Sequence, residues 1–134
     1  MSAIDPVREY LKEKGCARHV IEGSLTGLVE NWEHLVISVG EGYALGLDDY
    51  LNDLDVRQLL EEALAVAAPD QRQTVTDRVR EADETMKAAL EPAGKCLWGD
   101  EVAEEEGWTA ENNWWYFSKP INAEAELLAE IEEE

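Results

Sequence analysis

The sequence predicts a mainly α protein, a compact helical bundle of about five helices with residues 1–134 forming one acidic domain. Three observations carry this expectation. Apolar residues recur at three- and four-residue steps over long stretches. Pro, Gly and cap-forming residues punctuate those stretches where helices should begin and end. The chain is 45% hydrophobic and holds five Trp and four Tyr, enough burial to offset chain entropy in spite of its charge.

Asp5 suits an N-cap, Pro6 the first helical position, and Gly15 follows Lys12-Glu13-Lys14, so a first helix is expected over 6–14. Ile21, Leu25, Leu28, Val29, Trp32, Leu35, Val36 and Val39 mark one face of a long helix over 20–39. Gly23 and Gly27 within it each cost roughly 1 kcal/mol against Ala, and their spacing would let another helix approach closely. Gly40 to Gly46 should end this helix. Leu47, Tyr50, Leu51 and Leu54 predict a short helical turn. Asp55, with Gln58 three residues later, then reads as a capping box opening a helix through Ala67, which Pro69 ends. Val75, Val79, Ala82, Met86, Ala89 and Leu90 form the stripe of a helix over 70–91, stopped by Pro92-Ala93-Gly94. The 20–39 and 70–91 stripes, crossed by the 56–67 helix, should build the core. Lys95 to Trp98 and Trp114 to Ser118 are β-capable runs that admit a short hairpin near residues 95–118. Asn122 reads as the cap of a final helix whose Leu127, Leu128 and Ile131 face the body. Its last turn, Glu132 to Glu134, should fray, because it sets negative charge at the negative helix pole.

Charge sets the function classes. Against 11 Lys and Arg stand 31 Asp and Glu, a net −20, and residues 98–134 alone carry −11. A field of that sign repels phosphate backbones and anionic lipid, which disfavours direct nucleic-acid and membrane binding. No apolar run approaches the ~18 residues of a membrane span. Met1-Ser2-Ala3-Ile4-Asp5 has no basic or apolar leader character, and Cys16 and Cys96 have no framework spacing and should be free thiols. Together these point to the cytoplasm.

Several constellations have both a chemical and a plain reading. Gly40-x-Gly42-x-x-x-Gly46 has the glycine content of a phosphate-cradling loop, but no βαβ alternation surrounds it and Glu41 would face the phosphates, so it reads as an interhelical loop. Cys16, His19, His34 and Cys96 are zinc-ligand types without paired spacing and read as ordinary packing. Ser24 and Ser38 lack a nucleophile-elbow context. Glu30-x-x-Glu33 sets two carboxylates one helical turn apart, and Asp48, Asp49 and Asp53 could add oxygens, an arrangement suited to Mg²⁺ or Mn²⁺. Over residues 30–53 this resembles the all-α nucleotide pyrophosphohydrolases, and the resemblance implies a metal-dependent hydrolase. The second half of that family's pattern, Glu-x-x-Asp, does not occur in this chain. A solvated helix face explains the same spacing, since Glu-x-x-Glu recurs at Glu81/Glu84 and Glu101/Glu104.

Trp108 and Trp114-Trp115-Tyr116-Phe117 place five large aromatics in ten positions beside an acidic run. Two arrangements fit: rings packed as core under the last helix, or a partly exposed patch with an acidic rim, the composition of a protein-interaction site. On the second, Asp100, Glu101, Glu104, Glu105, Glu106, Trp108, Trp114 and Trp115 would bind a basic protein partner, without a cofactor. Inhibitors of the immunity, antitoxin or DNA-mimic kind work in this way. The alternative is the hydrolase, with Glu30, Glu33, Asp49 and Asp53 around Mg or Mn.

Overall fold

A computed structural model describes residues 5–123 and 125–133. The fold is mainly helical, as the periodicity predicts. In chain order it comprises α1 (Pro6–Lys14), α2 (Arg18–Glu41), α3 (Leu47–Val66), α4 (Pro69–Ala88), strand β1 (Leu90–Pro92), α5 (Asp100–Glu106), a 3₁₀ turn (Trp114–Tyr116), strand β2 (Ser118–Pro120) and α6 (Ala125–Glu133). Helix α2 is the hub, against which α1, α3 and α4 all pack. The buried side chains form one contiguous cluster that runs from Val7 and Leu11 through Trp32, Tyr50, Leu54 and Leu60 to Trp115, Leu127 and Ile131.

Helix α1 forms as its caps dictate. The Asp5 carboxylate accepts the Val7 and Arg8 amides at 3.0 and 3.1 Å, and Gly15 closes the other end at φ 80°. Asp5 does more than cap, for it also accepts the Ser24 hydroxyl at 2.6 Å and the Gln71 side-chain amide at 2.9 Å. One carboxylate thereby ties α1 to α2 and α4. Burial pushes Asp5 up, and the hydrogen bonds from Ser24, Gln71 and Arg8 outweigh it and hold the group below its ordinary value.

The structure corrects several expectations. The long helix bends at Ser24, whose φ of 51° and ψ of −149° leave the helical region. Neither Gly23 nor Gly27 meets a neighbour: no atom lies within 4 Å of where a Cβ would stand, so the expected close helix approach is absent. The segments expected as a turn and a capped helix are one continuous helix, α3, with Asp55 in its interior. Leu51, Leu54 and Leu60 are buried on either side of Asp55, and continuous core packing keeps the helix intact there. Pro69 does not merely end α3 but opens α4 at its first position, where Gln71 accepts the Ala68 amide at 3.3 Å. Helix α4 stops at Ala88, so Leu90 and Glu91 lie in β1 instead.

The short antiparallel pair expected near 95–118 forms at the edges of that segment, from other residues than the β-capable runs suggested. The antiparallel pair is β1 with β2, in the register Leu90 with Pro120, Glu91 with Lys119 and Pro92 with Ser118. Lys95 to Trp98 are irregular, and Trp114 to Tyr116 wind into the 3₁₀ turn. The acidic stretch between them is a helix, α5, that apolar periodicity did not reveal. Leu127 and Ile131 of α6 are buried and Leu128 half-buried, as expected. The helix begins at Ala125, so Asn122 is not at its cap; Glu124, Glu134 and the Glu133 side chain lie outside the described residues, as does the expected fraying. Among the described residues no helix is long and apolar enough to cross a membrane. Cys16 and Cys96 are free thiols.

Candidate functional site

Helix α5 displays its carboxylates because only one of its residues faces inward. Ala103 is buried, while Asp100, Glu101, Glu104, Glu105 and Glu106 are exposed. Asp100 and Glu101 stand in the first turn, where the helix dipole favours negative charge. Asp100 also accepts the Cys96 amide at 3.1 Å, which anchors the loop entering the helix. Gly107 closes it at φ 75°, in the left-handed region that glycine adopts without strain.

Between α5 and α3 lies a groove of about 420 Å³. Helix α3 lines one side with Asp55, Gln58, Leu59 and Glu62, which its period places on one face; Trp98, Val102, Trp108 and Tyr116 line the other. Trp98 is 37% exposed and donates its indole N–H to Asp55 Oδ1 at 3.1 Å. Tyr116 donates its hydroxyl to the same oxygen at 2.6 Å, and its ring stacks on Trp108 at 4.2 Å between centroids. At the far end Glu62 accepts Tyr10 at 2.5 Å, Lys14 at 2.8 Å and Gln58 at 3.1 Å. Burial pushes Glu62 up, but these three hydrogen bonds outweigh it and hold the carboxyl below its ordinary value. The groove is thus aromatic on its walls, with Asp55 at one end, the Glu62–Lys14 pair at the other, and Glu106 also in its lining.

The aromatic cluster divides between core and surface. Trp115 is 1% exposed and Tyr116 equally buried, whereas Trp108 and Trp114 are half-buried. Trp115 therefore cannot act as the partner anchor that its place in the run suggested. A 3₁₀ turn does not alternate faces as a strand would, and it turns this ring inward, where the Arg57 guanidinium lies 4.5 Å from its centroid. Trp114 packs edge-on against Trp32 and carries Lys87 above its ring, on the α4 side of the molecule. Of the three expected tryptophans, Trp108 alone lines the groove, in which Trp98 takes a place the sequence reading missed. Asp55 and Glu62 were missed too. Their seven-residue spacing with Gln58 between them was the available signal.

Beneath this surface lies a buried polar centre. Arg57, 5% exposed, donates to Asp83 at 3.0 and 2.8 Å and to Glu61 at 3.0 Å, and Asp83 also accepts the Trp32 indole N–H at 2.9 Å. Arg57 is the one cation of residues 41–69, a signal that could have marked it as structural.

Two of the carboxylates considered for a metal, Glu33 and Asp53, are engaged elsewhere. Arg78 donates to both oxygens of Glu33, at 3.2 and 2.6 Å, and holds that carboxyl below its ordinary value. Asp53 accepts the Tyr43 hydroxyl. Glu30 and Asp49 are exposed, and among the described residues no group of three or more His, Cys, Asp or Glu is placed to hold a metal ion. The zinc-ligand types Cys16, His19, His34 and Cys96 are likewise not gathered. No protein-family model matches the chain, and neither the curated proteins nor the solved structures include a match to it.

Proposed function

We propose that this chain is a non-enzymatic, acidic interaction domain that holds a basic protein partner through α5 and the aromatic groove beside it. One observation carries this reading: α5, with five exposed carboxylates, stands beside a groove that its Glu106 lines together with the rings of Trp98 and Trp108 and with Asp55 and Glu62. Carboxylates of this density attract a cationic surface from a distance and speed encounter, while aromatic rings in a groove hold the complex afterwards. A protein of net −20 that masks a basic surface fits an inhibitor, either an immunity-type protein or a mimic of a nucleic acid's charge. Two free thiols accord with the cytoplasm as its compartment.

The test is retention of host proteins on the immobilised chain at low and high salt, compared with the variant Glu101→Gln/Glu104→Gln/Glu105→Gln/Glu106→Gln. A basic protein held by the native chain, released by salt and lost from the variant supports the reading. Proteins held equally by both, at both salts, overturn it.

A further inference from the structure

We infer that the groove takes a lysine side chain of the partner, and that Lys14 is a built-in stand-in which the incoming ammonium replaces on Glu62. This rests on the groove being the partner site and adds its chemistry and its regulation.

The structure shows an ammonium already seated there. Lys14 Nζ lies 2.8 Å from Glu62 Oε1 and 5.8 Å from the centroid of the Tyr10 ring, so it is held by charge and by an aromatic face together. Among the described residues it is the one cation lining the groove, against Asp55, Glu62 and Glu106. Its hold is shallow, because the Lys14 side chain is 47% exposed and an ion pair open to water contributes little. Glu62 keeps Tyr10 and Gln58 when Lys14 leaves, so exchange does not strand a buried carboxylate.

The hydrogen bonds already in place favour an ammonium, which needs one free acceptor site, over a guanidinium, which needs two side by side. A guanidinium fork wants both oxygens of one carboxylate in its plane. Asp55 Oδ1 accepts both Trp98 and Tyr116, while Glu62 commits Oε1 to Tyr10 and Oε2 to Gln58. A compact point charge on a flexible stem fits between carboxylates occupied in this way, with its methylenes along Trp98, Trp108 and Leu59.

The probes are N-acetyl-lysine-methylamide and N-acetyl-norleucine-methylamide, which keeps the four-carbon stem and lacks the ammonium, followed by NMR on the indole N–H signals of the full chain. The lysine probe should move the Trp98 and Trp108 signals while the norleucine probe leaves them in place. Lys14→Gln should tighten lysine-probe binding by about threefold, the scale of an exposed ion pair removed as competitor. Lys14→Arg should not tighten it. Lys12→Gln controls for net charge: Lys12 pairs with Glu9 outside the groove, and this change should leave affinity as it was. Equal tightening by Lys14→Gln and Lys12→Gln, or none by Lys14→Gln, overturns the stand-in role. No indole shift with the lysine probe, or the same shift with norleucine, overturns the lysine specificity. Both failures are compatible with a salt-sensitive partner lost on neutralising α5, so they are separable from failure of the functional reading.

Discussion

Arg57 and Asp83 form a two-pronged ion pair between α3 and α4, Nε to Oδ1 at 3.0 Å and Nη2 to Oδ2 at 2.8 Å, with the guanidinium also facing the rings of Trp115 and Trp32. The pair joins two helices that each pack on α2, and it sits directly under the aromatic turn that supports the groove. Removing one member leaves a desolvated charge. Arg57→Met or Asp83→Leu alone should therefore destabilise the fold by about 3 kcal/mol, whereas the double variant should recover most of the loss. Urea unfolding of the three variants measures this, and additive single losses would show that the charges are independently solvated.

Acid acts on this protein in two opposed ways. Protonating carboxylates relieves the self-repulsion of net −20, which is stabilising. Asp5, Glu33 and Glu62, however, lie below their ordinary values of 3.8, 4.5 and 4.5, so each contributes stability that is present above that value and lost as pH falls through its folded one. The melting temperature should rise on mild acidification and then fall below about pH 4. At neutral pH it should also rise between ~10 and ~200 mM NaCl, as the Debye length shrinks from roughly 30 to 7 Å. A steady fall in either scan would show that local ion pairs outweigh net repulsion.

Alkali meets the opposite sign. Burial pushes the Tyr43, Tyr50 and Tyr116 hydroxyls well above the ordinary 10.0, and the Glu62 hydrogen bond raises Tyr10. Each is an acid kept neutral by the fold, so its stabilisation is complete below pH 10 and lost as pH rises beyond it. Tyrosinate absorbance should appear together with loss of helical circular dichroism, in one cooperative step. Titration of most tyrosines near their ordinary value with the helices intact would contradict the burial described.

The tryptophans should separate stability from binding. Trp115→Ala removes a ring that is 1% exposed and should cost about 3–5 kcal/mol. Trp115→Phe should cost much less, because it keeps a ring under Arg57 and removes an indole N–H that is buried without a hydrogen-bond partner among the described residues. Trp98→Ala should cost less stability than Trp115→Ala and speed dissociation of a bound basic partner, and neutralising Glu101, Glu104, Glu105 and Glu106 should instead slow association and flatten its salt dependence. Surface plasmon resonance distinguishes the two rates.

Ser24 holds a conformation that glycine adopts more readily, at φ 51°, and is kept there by its hydrogen bond to Asp5. Ser24→Ala retains the strain and loses the bond, and should cost about 1.5–3 kcal/mol. Ser24→Gly relieves strain as it loses the bond and should lie close to the native stability. Gly27→Ala should stabilise by about 0.5–1 kcal/mol, since a Cβ there meets nothing within 4 Å. Thermal melts of the three rank them, and a Ser24→Gly less stable than Ser24→Ala would remove the strain argument.

Features that depend on near neighbours were legible before the chain folded. The Asp5-Pro6 start and Gly15 stop produced α1 over the expected residues, because a cap satisfies amides two and three positions away. The stripes of α2 and α4 were legible because helical period alone sorts Leu25, Trp32, Val75 and Met86 inward. The acidity of the 98–134 block was plain from composition. The remaining features depend on residues far apart in the chain. Asp55 has the chemistry of a cap, but its carboxylate is taken by Trp98 and Tyr116, 43 and 61 positions away, while Leu51, Leu54 and Leu60 carry the helix through. Strand β1 pairs with β2 across a loop that contains α5, a partner no local signal names. Whether Trp115 lies in the core or at the surface depends on Arg57 standing opposite it, and the groove exists only because α3, α5 and the 3₁₀ turn converge. Caps and periodicity are local energies written in a few consecutive residues, whereas burial and charge pairing belong to positions that meet only after the chain has folded.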